Sequence, residues 1–193
     1  TALQSGDENR ILRSTALILE KAPADNFALR ARMFVYENRG DTVEAAKFIR
    51  QQLKNAPDQP KLYFLQLEML LRAPDSAAEL HAALTEACRR FENNPAILND
   101  LNWFMLERLP FQQTPVELLL HSTGKVLEQL PGDTSSAARS SALAARARIY
   151  FFIGKTEEAV ALQRQAAALL KDSPKLRSRT QTVLEIMEKS LQL

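Results

Sequence analysis

The segment "ALRARMFVYENRGDTVEAAKFIRQQLKNAPD", Ala28 to Asp58, sets apolar residues at three- and four-residue intervals on both sides of a central Gly40-Asp41 pair. A single continuous helix would lose about 1 kcal/mol at such a glycine. Two helices folded back on each other use it instead: Gly40 takes the left-handed conformation that closes one helix, and Asp41 caps the next. A second segment, "SSALAARARIYFFIGKTEEAVALQRQAAALLKDSP" from Ser140 to Pro174, has the same arrangement. Tyr36, Gly40 and Ala45 are spaced as Tyr150, Gly154 and Ala159, and each alanine follows an acid, Glu44 or Glu158. A small residue suits the point where two helix axes approach, and a ring fills the wider gap beside it.

Outward from these two hairpins, apolar residues recur at helical spacing along the whole chain, and no stretch alternates with the period of a strand. Turn and cap residues divide it into about ten helices. The spacing predicts helices over Asp7–Lys21, Asn26–Asn38, Asp41–Asn55, Lys61–Arg72 and Ser76–Glu92, then Ala96–Glu107, Val116–Gln129, Ser136–Ile153, Thr156–Lys171 and Lys175–Leu191. "APADN", "APDQP", "APDSAAE", "NNP", "RLPFQQTP" and "LPGDTSS" are the breaks, with Pro115 suited to a first turn. The chain reads as all-α.

The two hairpins resemble the tetratricopeptide repeat, a helix–turn–helix unit of about 34 residues. From Asn26 the matching positions are Met33, Tyr36, Gly40, Ala45 and Pro57, with Gln52 where a small residue is usual. From Ser140 they are Ala147, Tyr150, Gly154, Ala159 and Ala166, with the closing proline late at Pro174. A degenerate unit fits from Pro60 through Tyr63, Leu67 and Leu70, with Pro74 in place of the turn glycine, and a looser one from Pro95 through Leu98 and Met105. The resemblance implies a right-handed α–α superhelix, a solenoid of roughly four hairpins with a capping helix at each end. The expected organisation is one repeat domain over 1–193: cap 7–22, repeat 26–58, degenerate repeats 60–94 and 95–131, repeat 140–173, and cap 175–193. Stacked hairpins of this kind bury stripes that one hairpin cannot, and the end helices are expected to turn polar faces outward.

The composition fits a folded helical protein: 46% hydrophobic and 25% charged residues, with five glycines in 193. No apolar run approaches the roughly 20 residues of a membrane span. The opening "TALQSGDENR" has no initiator Met, basic region or apolar run, which reads as part of a longer chain and leaves cytoplasm and bacterial periplasm both open. Cys88 is the only cysteine, so an intramolecular disulfide is excluded, and the expected role is a small buried apolar side chain. His81 and His121 lie in no metal-ligand spacing; Glu117 and His121, one turn apart, read as a surface or half-buried pair. There is no nucleophile elbow, phosphate-binding glycine loop or zinc-protease motif. No catalytic residue, metal or cofactor is therefore assigned, and the chain is not read as an enzyme.

The resemblance instead implies binding, with the first helix of each unit facing a concave groove. Carried over unit by unit, the groove positions are Phe27, Arg30, Phe34 and Asn38; then Lys61, Phe64, Glu68 and Arg72; then Asn99 and Trp103; then Arg148 and Phe151, with Phe152 less suited. Several of these rings must serve the core, and Trp103 fits either core or groove. Aromatic and basic positions together suit an extended peptide or helix of a partner protein. An alternative is that the chain is a C-terminal helical appendage of a larger enzyme, since its second half is also similar to helical tails of bacterial thioredoxin-like and hydrolase proteins. From Arg139 to Arg179 nine Lys and Arg face three Asp and Glu, against fifteen and eighteen before that window. That window raises nucleic-acid binding, which a net charge of +2 disfavours. Terminal helices that cover the end stripes favour a monomer.

Overall fold

The computed structural model describes residues 5–73 and 75–191; the turn position assigned to Pro74 lies outside them. Among the described residues are ten α-helices and no strand. They are α1 (Ser5–Lys21), α2 (Asn26–Arg39), α3 (Thr42–Asn55), α4 (Pro60–Arg72) and α5 (Ala77–Arg90), followed by α6 (Pro95–Arg108), α7 (Val116–Gln129), α8 (Ser136–Phe152), α9 (Thr156–Ala168) and α10 (Pro174–Ser190). A single 3-10 turn, Phe111–Gln113, occupies the loose stretch between α6 and α7. The chain falls into two compact units, Thr1–Ala83 and Leu84–Leu193, with the division inside α5.

Three helix starts differ from the sequence reading for one reason. Punctuation alone puts Pro60, Pro95 and Pro174 ahead of their helices, and each stands in the first turn instead. A proline there loses no hydrogen bond, because the first amides of a helix have no intrahelical acceptor, and its fixed φ is already helical. At the other end, α9 stops at Ala168, three residues before the expected Lys171, and the chain turns through Leu169 to Ser173.

In the first unit α1 packs on α2, α2 on α3 and α3 on α4. Asp25 caps α2 by accepting from the Ala28 amide at 2.8 Å, and Asp41 caps α3 by accepting from Glu44 at 3.1 Å. Leu29, Met33, Tyr36, Ala45, Phe48, Ile49 and Leu62 form one buried cluster, on which Leu12 of α1 and Met69 of α4 also pack. In the second unit α6 pairs with α7, α7 with α8, α8 with α9 and α9 with α10; α6 also touches α8, so first helices of successive hairpins are neighbours. Ala147, Ala159, Val160, Leu184 and Met187 make a second buried cluster there. Its two alanines, Ala147 and Ala159, and the approach they allow, agree with the alanine pattern of the repeat.

The two hairpins that share a sequence pattern also share their turn. Gly40 has φ of 66° and Gly154 of 80°, both in the left-handed region that glycine adopts without strain. Gly40 donates to Glu37 O at 3.1 Å and Asp41 to Tyr36 O at 2.9 Å; Gly154 donates to Phe151 O at 3.1 Å and Lys155 to Tyr150 O at 2.9 Å. A further parallel emerges only from the structure. The arginine four residues before each tyrosine donates to its hydroxyl, Arg32 to Tyr36 at 3.1 Å and Arg146 to Tyr150 at 2.9 Å.

The turn before α5 is built differently. Asp75 takes φ of 59°, unusual for a residue other than glycine. The Ser76 hydroxyl donates to the carbonyls of Ala73, at 2.9 Å, and Leu70, so it closes the end of α4. The end helices also depart from expectation: α1 exposes Leu17 and Ile18, and α10 exposes Leu176 and Ile186, so their outer faces are not wholly polar.

Candidate functional site

The sequence-derived positions of the first unit lie on α2 and α4. Phe27, Arg30, Phe34 and Asn38 fall at helical spacing along α2 and are all exposed, Phe27 at 75% and Phe34 at 45% of its maximal surface. Their spacing places them opposite Leu29, Met33 and Tyr36, which enter the core. On α4, Lys61 and Arg72 are exposed while Phe64 and Glu68 are half-buried. Arg72 Nη1 donates to Glu37 Oε1 of α2 at 2.8 Å, which joins the two first helices across their outer ends. Both partners are more than half exposed, so this pair contributes little to stability.

In the second unit the structure brings three of the four predicted positions together. Asn99 and Trp103 project from one face of α6, one turn apart, and both donate to the Ser141 hydroxyl oxygen of α8, at 3.0 and 2.9 Å. Arg148, two turns further along α8, places its guanidinium 5.0 Å from the centre of the Trp103 ring. That distance is within range of a cation–π attraction, worth about 0.5–1 kcal/mol where water has access. Trp103 is thus neither purely core nor purely groove: its indole N–H is fixed to Ser141 and its ring is half-buried. Phe151 separates from this group and packs on the α8–α9–α10 core cluster.

Trp103, Ser141 and Arg148 line a cavity of about 290 Å³, while Asn99 and Phe151 are not part of its lining. Trp103 and Glu107 of α6 form one wall, and Ser140, Ser141, Ala144 and Arg148 of α8 form the floor. The far wall is Leu176, Arg179, Thr180 and Val183 of α10, with Gln163 of α9 beneath. The small residues of α8 make the cavity possible, since Ala137, Ser141 and Ala144 leave the space that larger side chains would fill. Sequence reasoning misses the α10 wall, because it assigns that helix only to capping.

The polar groups of the cavity are unevenly matched. Gln163 is 1% exposed; its Nε2 donates to the Thr180 carbonyl at 2.9 Å. Because that carbonyl can only accept, the amide orientation is fixed and Oε1 is left as an acceptor, with no partner among the described residues. Outside the cavity lining, Asn99 Oδ1 is also buried without a partner among them. The Ser141 oxygen accepts two N–H groups, and no acceptor for its own proton occurs among the described residues.

No group of three or more His, Cys, Asp and Glu side chains among the described residues is placed to hold a metal. His81 of α5 is exposed, and so are Glu117 and His121, one turn apart on α7. Cys88 is buried and free, and burial pushes its thiol up to about 12. Arg89 beside Glu86 holds that carboxyl below its ordinary value. Among the described residues no helix is long and apolar enough to cross a membrane.

No protein-family model matches the chain, and no curated protein matches it in sequence. Its fold is similar to that of TTC0263, described as a thermophilic TPR protein of Thermus thermophilus, with a TM-score of 0.53 and 18% identity over 93% of this chain and 91% of that one. It is similar also to YrrB, described as a TPR protein with an unusual peptide-binding site, with a TM-score of 0.53 and 16% identity over 92% and 84% of the two chains. The MamA protein gives a TM-score of 0.52 at 15% identity over 88% and 86%. The fold is therefore that of a tetratricopeptide-repeat-like α–α solenoid.

Proposed function

We propose that the chain is a protein-interaction module with no catalysis of its own, and that the cavity between α6, α8 and α10 holds an extended segment of a partner protein. The observation that carries this reading is the convergence of Trp103, Ser141 and Arg148 on one cavity whose donors and acceptors are not matched to one another. Aromatic and arginine side chains that face a recess supply most of the energy in protein recognition, and unmatched polar groups favour a ligand with its own donors and acceptors. At about 290 Å³ the cavity sits at the lower end of ligand sites, roughly 300–1,000 Å³. It therefore suits one or two residues of an extended chain better than a helix. The likeness to YrrB, a protein described by its peptide-binding site, points the same way. On the first unit, the exposed α2 face with Phe27, Arg30, Phe34 and Asn38, and its α4 neighbours Lys61, Phe64, Glu68 and Arg72, form a separate candidate contact surface.

The test is selection of short peptides against the whole chain, followed by affinity measurement with Arg148→Ala and Trp103→Ala variants of unchanged helicity. Removing a central anchor should weaken binding tenfold or more, which corresponds to about 1.4 kcal/mol or above. Peptides bound equally by both variants would remove the cavity from the interface.

A further inference from the structure

The basic window Arg139–Arg179 remains unexplained by the fold alone; Lys175 is exposed in the first turn of α10, and the structure divides the other eight of its nine cations by what each one touches. Arg139 donates to the Pro131 carbonyl at 2.9 Å, and Arg164 pairs with Glu188 at 2.8 Å. Arg146 reaches the Leu120 carbonyl and Thr123 on α7, and Lys155 lies 5.5 Å from the Tyr150 ring. Lys171 and Arg177 border a shallow pocket at the start of α10. Only Arg148 and Arg179 of the nine line the cavity described above, with Glu107 as its single carboxylate. Neither arginine has a carboxylate partner among the described residues.

We propose that this cavity is a subsite for an acidic residue, in which Arg148, Arg179 and the Ser141 hydroxyl hold the side-chain carboxylate of an Asp or Glu within a bound peptide. The proposal rests on the peptide-binding reading above and gives it a chemistry. Arg148 and Arg179 come from helices α8 and α10, so each can reach a carboxylate without giving up an internal pair. Arg148 is already oriented by its stacking on Trp103, which lowers the entropy lost when it engages a ligand. Ser141 adds a third donor. Its oxygen accepts from Asn99 and Trp103, and these two bonds polarise the O–H toward donation. The cavity thus presents three donors to a ligand. Among its lining residues the buried, partnerless acceptor is Gln163 Oε1, which suits a main-chain N–H of the same peptide once the side chains over it part. A nucleic-acid face would need its cations spread on an open surface, whereas five of these nine are held by the fold or by the Trp103 ring.

Trp103 is the only tryptophan and lines the cavity, so its fluorescence reports occupancy directly. The experiment titrates the whole chain with N-acetylated, C-amidated Ala-Glu-Ala and Ala-Gln-Ala, which carry no terminal charge, and with inorganic phosphate and a single-stranded oligonucleotide. The Glu peptide should bind about tenfold tighter than the Gln peptide at low salt, and the ratio should fall as salt screens the charge. Arg179→Gln, an exposed position away from the core clusters, should bring the two peptides to equal affinity with helicity unchanged. Equal binding of Glu and Gln peptides by the unaltered chain would overturn the acidic subsite and leave peptide binding intact. Failure of both peptides to perturb Trp103 would overturn both readings. Phosphate or the oligonucleotide binding more tightly than the Glu peptide would overturn the acidic-peptide assignment and identify a different anion as the occupant.

Discussion

Arg32 and Arg146 occupy the same place in the repeat, four residues before the hairpin tyrosine, yet their surroundings predict different costs of removal. Arg146 donates to the Leu120 carbonyl, to Thr123 Oγ1 at 3.0 Å and to Tyr150 at 2.9 Å, and its guanidinium lies 4.8 Å from the Tyr150 ring. Gly124 makes room for it, since a Cβ there would meet Arg146 Nη1 at 3.3 Å. Arg32 donates to Tyr36, at 3.1 Å, and lies 4.8 Å from the Phe48 ring. Bonds from a charged donor contribute about 1.5–3 kcal/mol and a half-exposed cation–π contact about 0.5–1. These terms overlap in space and do not add fully, so Arg146→Met should cost about 3 kcal/mol and Arg32→Met about 1.5. Methionine retains the apolar stem, which isolates the guanidinium. Urea unfolding followed by circular dichroism, with Trp103 fluorescence as the reporter of the second unit, measures both. Costs equal to within about 0.5 kcal/mol would show that repeat position, and not the bridge to α7, sets the energy.

Two further outcomes follow from backbone and burial. Gly154→Ala should destabilise by about 1 kcal/mol, because φ of 80° is costly for a residue with a Cβ even though nothing lies within 4 Å of that position. Gly154→Asn should cost less, and Gly132→Ala, with equal space and no left-handed φ, should be neutral or stabilising by thermal melting. Cys88 carries a thiol raised from 9.0 to about 12 by burial, so the unfolded chain loses that proton first as pH rises. Its contribution is intact below pH 9 and falls away between 9 and about 12, and Cys88→Ala should flatten the alkaline decline seen in urea unfolding at stepped pH.

The fold was legible because its signals are local. A tyrosine, a glycine four later and an alanine five beyond fix the side that packs, the residue that reverses the chain and the point of closest approach. Each requirement is met by residue type alone, and the two turns repeat the same capping hydrogen bonds. The helix starts are displaced for an equally local reason, since a proline reads as a break although it fits a first turn. The paired arginines stand at identical spacing, yet spacing alone assigns them no partner. Nothing in a lone cation distinguishes one that stays in water from one that bends back one turn to a hydroxyl.

The site was less legible because a cavity is a property of neighbours. Periodicity separates the outer face of α6 from its core face, and so it selects Asn99 and Trp103. It also selects Arg148 on α8, because first helices of successive repeats share a side. What it cannot supply is the wall that closes the recess. Arg179, Thr180 and Val183 of α10 complete it, and in sequence that helix has no repeat signature and reads only as an end piece. Gln163 belongs to α9, the second helix of its hairpin, and reaches the cavity only because Ser140, Ser141 and Ala144 of α8 are small enough to look past. Small side chains carry no chemical signal of their own, so their effect emerges once the helices are packed. A lengthened side chain there makes the same point experimentally: Ala144→Leu, on the cavity side and half-exposed, should leave the helices folded and abolish any ligand-induced change in Trp103 fluorescence. A response that survived the substitution would place the ligand elsewhere on the unit.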